Sequence, residues 1–157
     1  MTPYEELESG KALKLGLRLI SYRPRSKHEI QSRLKRRFGN VVVQVAMDWL
    51  EEKGYIDDLK FANFWRQNRE THRPRGGRLI KYELLQRGVH EEVIDQVTTD
   101  LDEGTNAYRA ATTRLPQLRG TDYITFRRRL EGYLNRRGFR RDTIRETIKL
   151  LWRECLP

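Results

Sequence analysis

A chain of 157 residues with 37% hydrophobic and 34% charged residues has material for a lean core beneath a heavily charged surface. A single cysteine, Cys155, excludes an internal disulfide, and no apolar run approaches the ~20 residues that a membrane helix needs. The acidic start Met1-Thr2-Pro3-Tyr4-Glu5-Glu6 lacks the apolar core of a secretion signal, so a reducing cytoplasmic setting is expected. The net charge is +10, with 24 arginines against 8 lysines, and the planar fork of arginine suits phosphate or carboxylate partners.

In chain order, helical spacing predicts a first helix over about Glu5–Tyr22, a second over Lys27–Arg36 and a third over Val41–Lys53. Arg23-Pro24-Arg25-Ser26 ends the first, because proline disfavours helical geometry in the residue before it. Ser26 and Glu29 have capping-box spacing for the second. Val41-Val42-Val43 favours a strand locally, but the later copies of this segment, Glu92-Val93-Ile94 and Thr143-Ile144-Arg145, have helical character. Gly54 stands where a helix C-terminus is terminated. The next helices are predicted over Leu59–Glu70, capped by Asp57 or Asp58, then Gly77–Gln86, stopped by Gly88, and Glu91–Asp102. The last three are predicted over Thr105–Arg114, Asp122–Arg136 and Arg141–Glu154, with Asp122 as cap and Gly138 as stop.

The same pattern is thus written three times. Ile30, Ile80 and Leu130 are fifty residues apart, as are Leu34, Leu84 and Leu134. Phe38, Val89 and Phe139 follow, then Val43, Ile94 and Ile144, then Leu50, Leu101 and Leu151. The first step in these later sets is fifty-one, because Arg37-Phe38 lacks the glycine of Arg87-Gly88-Val89 and Arg137-Gly138-Phe139. The expected fold is all-α, three tandem three-helix repeats over residues 1–58, 59–103 and 104–157. Units of this size are close to the lower limit for burying a core alone, so they are expected to lean on one another.

Charge is uneven among the repeats. There are 11 basic and 9 acidic residues in the first, 8 and 8 in the second, and 13 and 5 in the third. The chemistry of a reaction site is not discernible. His28, His72 and His90 lie apart, without metal-ligand spacing. Gly76-Gly77 lacks the lysine and hydroxyl residue of a phosphate loop. Asp57-Asp58 has a sufficient task as a helix cap, and Phe61 and Trp65, four apart, have core spacing. Neither an enzyme nor a cofactor is expected. The helix–glycine turn–helix succession is also that of a helix-turn-helix module, so a sequence-specific DNA-binding regulator stands as an alternative.

Gly54-Tyr55-Ile56-Asp57-Asp58-Leu59-Lys60-Phe61-Ala62, followed by Trp65 and Arg69, then Arg78-Leu79-Ile80-Lys81-Tyr82-Glu83-Leu84-Leu85-Gln86-Arg87-Gly88-Val89, resembles the RecX family of bacterial recombinase regulators. Pro24-Arg25-Ser26 with Glu29 and Leu34 is similar to the family's first repeat, and the resemblance runs from about Ala12 to Trp152. The missing glycine before Phe38 departs from the common pattern. The resemblance implies an elongated, curved array that binds the RecA recombinase and lodges in the groove of the RecA–DNA filament. It further implies that filament growth, ATP hydrolysis, strand exchange and co-protease activity are restrained without catalysis by the protein itself. Weak, salt-sensitive contact with single- and double-stranded DNA, a monomeric state and no membrane partner accompany this expectation. The residues expected to contact RecA or DNA are Arg75, Arg78, Lys81 and Arg87 in the second repeat. In the third they are Arg127, Arg128, Arg136, Arg137, Arg140 and Arg141.

Overall fold

The computed structural model describes residues 1–155 and is all-α. Among these residues are nine α-helices and one short 3-10 helix, with no strand. They are α1 (Pro3–Tyr22), α2 (Lys27–Lys35), α3 (Asn40–Glu52), α4 (Asp58–Thr71), α5 (Gly77–Gln86), α6 (Glu91–Thr98), α7 (Glu103–Thr112), α8 (Tyr123–Arg136) and α9 (Arg141–Cys155). The 3-10 turn, Leu115–Leu118, lies between α7 and α8. The valine cluster is helical, with Val42 and Val43 buried and Val41 exposed. By contact the chain sorts into two compact units, residues 1–64 with 84–94, and residues 65–83 with 95–157.

In the first unit α1 lies along α3, with α2 against both. The core gathers Ala12, Leu19, Ile30, Leu34, Val43, Met47 and Leu50, all at the spacing of one helix face. Full burial of each large aliphatic side chain contributes about 1.5–3 kcal/mol. Gly16 lets the two long helices approach, since a Cβ there would stand 2.9 Å from Leu50 Cδ1. In the second unit α9 packs on α7 and α8 around Ala107, Ala111, Phe126, Leu130, Leu134, Phe139, Ile148 and Leu151. Trp152 closes that core against Tyr123 and Phe126, with ring centroids 5.2 and 5.0 Å away.

The caps are those the side chains demand. Ser26 accepts from the Glu29 amide while Glu29 reaches back to the Ser26 amide. Asp57 caps α4 by accepting from the amides of Leu59 and Lys60. Asp58 is the first residue of α4, and its carboxylate accepts from the Lys27 amide at 2.9 Å. Gly54, Gly88 and Gly138 all have positive φ, as helix-stopping glycines do. The helix boundaries fall within two residues of the sequence expectation, with one exception. α6 ends at Thr98, not Asp102, because the Asp102 side chain accepts from the Thr105 amide and starts α7. Leu101, expected to match Leu50 and Leu151 inside a helix, therefore lies between helices and is half-buried.

Each later repeat seats on its predecessor through one device used twice. In the first unit Ser26 Oγ donates to the Arg87 carbonyl at 2.6 Å, and Gly88 lies so close to His28 that a Cβ would stand 2.4 Å from His28 Cβ. Fifty residues on, in the second unit, the Gly76 amide donates to the Arg137 carbonyl at 2.8 Å. There a Cβ on Gly138 would stand 2.4 Å from Leu79 Cβ and 2.5 Å from its amide nitrogen. The following amides also match. Lys27 N donates to Asp58, and Gly77 N donates to Glu103 Oε1 at 2.7 Å. The glycine missing before Phe38 now has a physical account. Among the described residues that turn bonds only back to the Leu34 carbonyl and meets no second-helix N-terminus, so nothing there demands a residue without a Cβ.

Candidate interaction surfaces

Several of the expected contact arginines turn out to build the fold. Arg75 is half-buried, with Nη1 3.1 Å from Glu83 Oε1. Glu83 also accepts from Trp65 Nε1 at 2.6 Å and Arg69 Nε at 2.8 Å, and the Arg69 guanidinium lies 4.2 Å over the Trp65 ring. Burial holds the Arg75 guanidinium below its ordinary pKa, opposed by Glu83 and reinforced by Arg69 and Arg137. Arg78 donates to the Asn135 carbonyl and Oδ1 at 2.9 and 3.0 Å, fastening α5 to the end of α8. Lys81 lies 4.0 Å from Asp95, and Arg87 is half-buried and supplies the carbonyl that Ser26 grips.

In the third repeat, Arg137 lies 5.2 Å over the Tyr133 ring and Arg114 lies 4.4 Å over it. Burial pushes the Tyr133 hydroxyl up, but Thr113 and the two arginines hold it on balance below its ordinary value. Arg140 pairs with Glu103 and Asp142 at 3.6 and 3.7 Å. Arg127 pairs with Glu131 one turn along α8 at 3.2 Å, an exposed contact of small energetic weight.

Arg128, Arg136 and Arg141 are exposed and do come together with others on one face. Arg114, Arg128, Arg129 and Arg136 surround a depression floored by Leu118 and Tyr133. A second depression, lined by Arg128, Arg141 and Arg145 together with the carboxylate of Glu131, shares Arg128 and Gly132 with the first. Gly132 leaves a bare stretch on α8 over which Arg136 lies back, its Nη1 3.1 Å from where a Cβ would stand. Arg114 and Arg145 were missed from sequence because each stands apart from the arginine clusters, Arg114 in the turn after α7 and Arg145 one turn beyond Arg141 on α9. The i, i+4 relation of Arg141 and Arg145 on α9 was the available signal. Such a face can bind phosphate or carboxylate groups by bidentate guanidinium contacts. Among the described residues no group of three or more His, Cys, Asp or Glu side chains is placed to hold a metal ion, and no helix is long and apolar enough to cross a membrane. His28, His72 and His90 are exposed.

Repeated three-helix units, the last of them with an arginine-rich face, define a helical-repeat protein. Residues 12–55 match the first three-helix domain of RecX, and residues 57–97 match its second. The regulatory protein RecX of Chlorobium phaeobacteroides (strain BS1) is 34% identical over 149 residues, covering 94% of this chain and 98% of that protein. The regulatory protein RecX of Mycolicibacterium smegmatis (strain ATCC 700084 / mc(2)155) is 33% identical over 142 residues, covering 85% of this chain and 76% of that protein. A crystal structure of RecX from Lactobacillus salivarius shares the fold with a TM-score of 0.82 at 17% identity, over 92% of this chain and 96% of that one. The chain belongs to the RecX family of regulatory proteins.

Proposed function

We propose that this protein regulates a RecA recombinase by binding it within the helical groove of the RecA–DNA filament. Seated there it limits filament extension and lowers ATP hydrolysis, strand exchange and co-protease activity, with no catalysis of its own. It acts as a cytoplasmic monomer. The repeats over 1–58, 59–103 and 104–157 are its functional modules, and their contacts combine through effective concentration along the polymer. The observation that carries this reading is the similarity to RecX regulatory proteins along nearly the whole chain. The arginine face of α8 and α9 supplies the chemistry for a polyanionic partner. The turns at Arg87-Gly88 and Arg137-Gly138 are occupied in seating one repeat on another, which weighs against a helix-turn-helix reader that enters a DNA groove there.

The test is the ATPase of RecA on single-stranded DNA. Addition of this protein at amounts below RecA is expected to suppress it, and unchanged hydrolysis at equimolar protein overturns the proposal. Direct DNA binding is expected to be weak and to fall with salt at a log–log slope near −0.9 per phosphate neutralised on duplex. A preference of ~4 kcal/mol or more for one duplex over random DNA would instead establish a sequence-specific regulator.

A further inference from the structure

The first repeat carries a second cationic surface that its nearly balanced charge conceals. Leu15, Leu19 and Tyr22 on α1 floor a groove between α1 and α2. Arg18 stands on its α1 side, and Arg33, Arg36 and Arg37 stand on the side of α2 and the turn after it. The groove continues along α1 to Phe38, Lys14 and Lys11. Its extent from Lys11 to Tyr22 is about 17 Å, or three helical turns.

The acids nearest this groove are already engaged. Glu8 pairs with Lys11 at 3.0 Å, and Glu29 pairs with Arg23 at 2.5 Å while it completes the α2 capping box. Among the described residues no carboxylate lies within ion-pair distance of Arg18, Arg33, Arg36 or Arg37. Arg25, also on the groove, donates its Nε to the Leu19 carbonyl at 3.2 Å. Burial holds its guanidinium below its ordinary pKa, reinforced by Arg23 and Arg33 and opposed by Glu29.

Cations on both walls over an aliphatic floor select the shape of the ligand. A single nucleic-acid strand carries its charge on one edge and asks for aromatic platforms under its bases. Here the two aromatic residues, Tyr22 and Phe38, line separate stretches of the groove. An amphipathic helix with an apolar ridge and carboxylates on both flanks matches floor and walls together. We propose that the groove between α1 and α2 docks an acidic amphipathic helix of the protein partner, seating apolar side chains on Leu15, Leu19 and Tyr22 and carboxylates on Arg18, Arg33 and Arg36. The partner's identity rests on the filament reading above, whereas the ligand chemistry rests on the groove alone.

Three fluorescein-labelled probes test this by anisotropy: a synthetic helical peptide with leucines on one face flanked by glutamates, the same peptide with serine for leucine, and oligo-dT. The intact protein is expected to bind the leucine peptide at least ~10-fold more tightly than the serine peptide, a difference of about 1.4 kcal/mol. Arg18→Gln/Arg33→Gln/Arg36→Gln is expected to erase that binding without changing helix content or the melt. Should the triple change disturb the melt, Arg36→Glu alone is expected to weaken the leucine peptide more than oligo-dT. Equal affinity for the two peptides, or loss of oligo-dT alone in the groove variants, overturns the inference, the latter in favour of nucleic acid. RecA ATPase separates this failure from failure of the filament reading. Suppression by intact protein with no peptide binding leaves the filament reading standing, whereas peptide binding without suppression leaves the groove standing.

Discussion

At the scale of single residues, two exposed carboxylates of the second unit have structural duties. Asp102 and Asp122 each start a helix, accepting hydrogen bonds from Thr105 and Thr125 that hold both carboxyls below their ordinary pKa. A carboxyl so depressed contributes stability that is fully present above its unfolded pKa of about 3.9 and is lost as pH falls through the lower folded value. The melting temperature is therefore expected to fall as pH is lowered below ~4. Asp102→Asn/Asp122→Asn keeps a capping side chain but removes the charge, and should flatten that part of the profile in thermal melts recorded by circular dichroism. Asp122 was legible as a cap in the sequence. Asp102 was not, because the apolar pattern continues to Leu101 and disguises the end of α6 at Thr98.

Among the elements, helix existence was legible throughout because isoleucine and leucine recur four apart on a charged background, a pattern that strands do not carry. The fate of the arginines was less so, because spacing along a helix reveals which residues share a face but not which carboxylate or ring meets them across the bundle. Arg75 is engaged by Glu83, Arg78 by Asn135 and Arg137 by Tyr133. On α8, by contrast, Arg128 and Arg136 stay exposed beside the bare stretch at Gly132. Arg128→Ala/Arg129→Ala/Arg136→Ala removes exposed cations and no core atom. Helix content and melting are expected to stay within about 0.5 kcal/mol of the parent. The salt slope of DNA binding should fall by up to about three phosphate equivalents, and an unaltered slope would take this face out of nucleic-acid contact. In the first repeat, Arg18 on α1 and Arg33 and Arg36 on α2 share a groove that a count of net charge could not disclose.

For the whole molecule, the informative feature is the paired use of glycine where one repeat seats on another. Gly76 and Gly138 meet backbone to backbone, and a Cβ on Gly76 would stand 2.3 Å from the Gly138 carbonyl oxygen. Gly138→Ala combines a left-handed residue, φ +83°, with a collision against the Leu79 main chain. It is expected to cost at least ~2–3 kcal/mol. Gly120→Ala has φ +76° but open space around it, so ~1 kcal/mol is expected. Chemical denaturation of the two variants compares them directly, and equal losses would mean that seating adds nothing to backbone preference. The threefold pattern was plain in the sequence. The reason that two copies carry the glycine and one does not required the coordinates. The same seating gives the protein a direction in time. The hydroxyl of Ser26 and the buried amide of Gly76 find their acceptors in Arg87 and Arg137, about sixty residues further along. On the ribosome the earlier bundle emerges with those donors unanswered, and each is finished only by polypeptide that has yet to be synthesised.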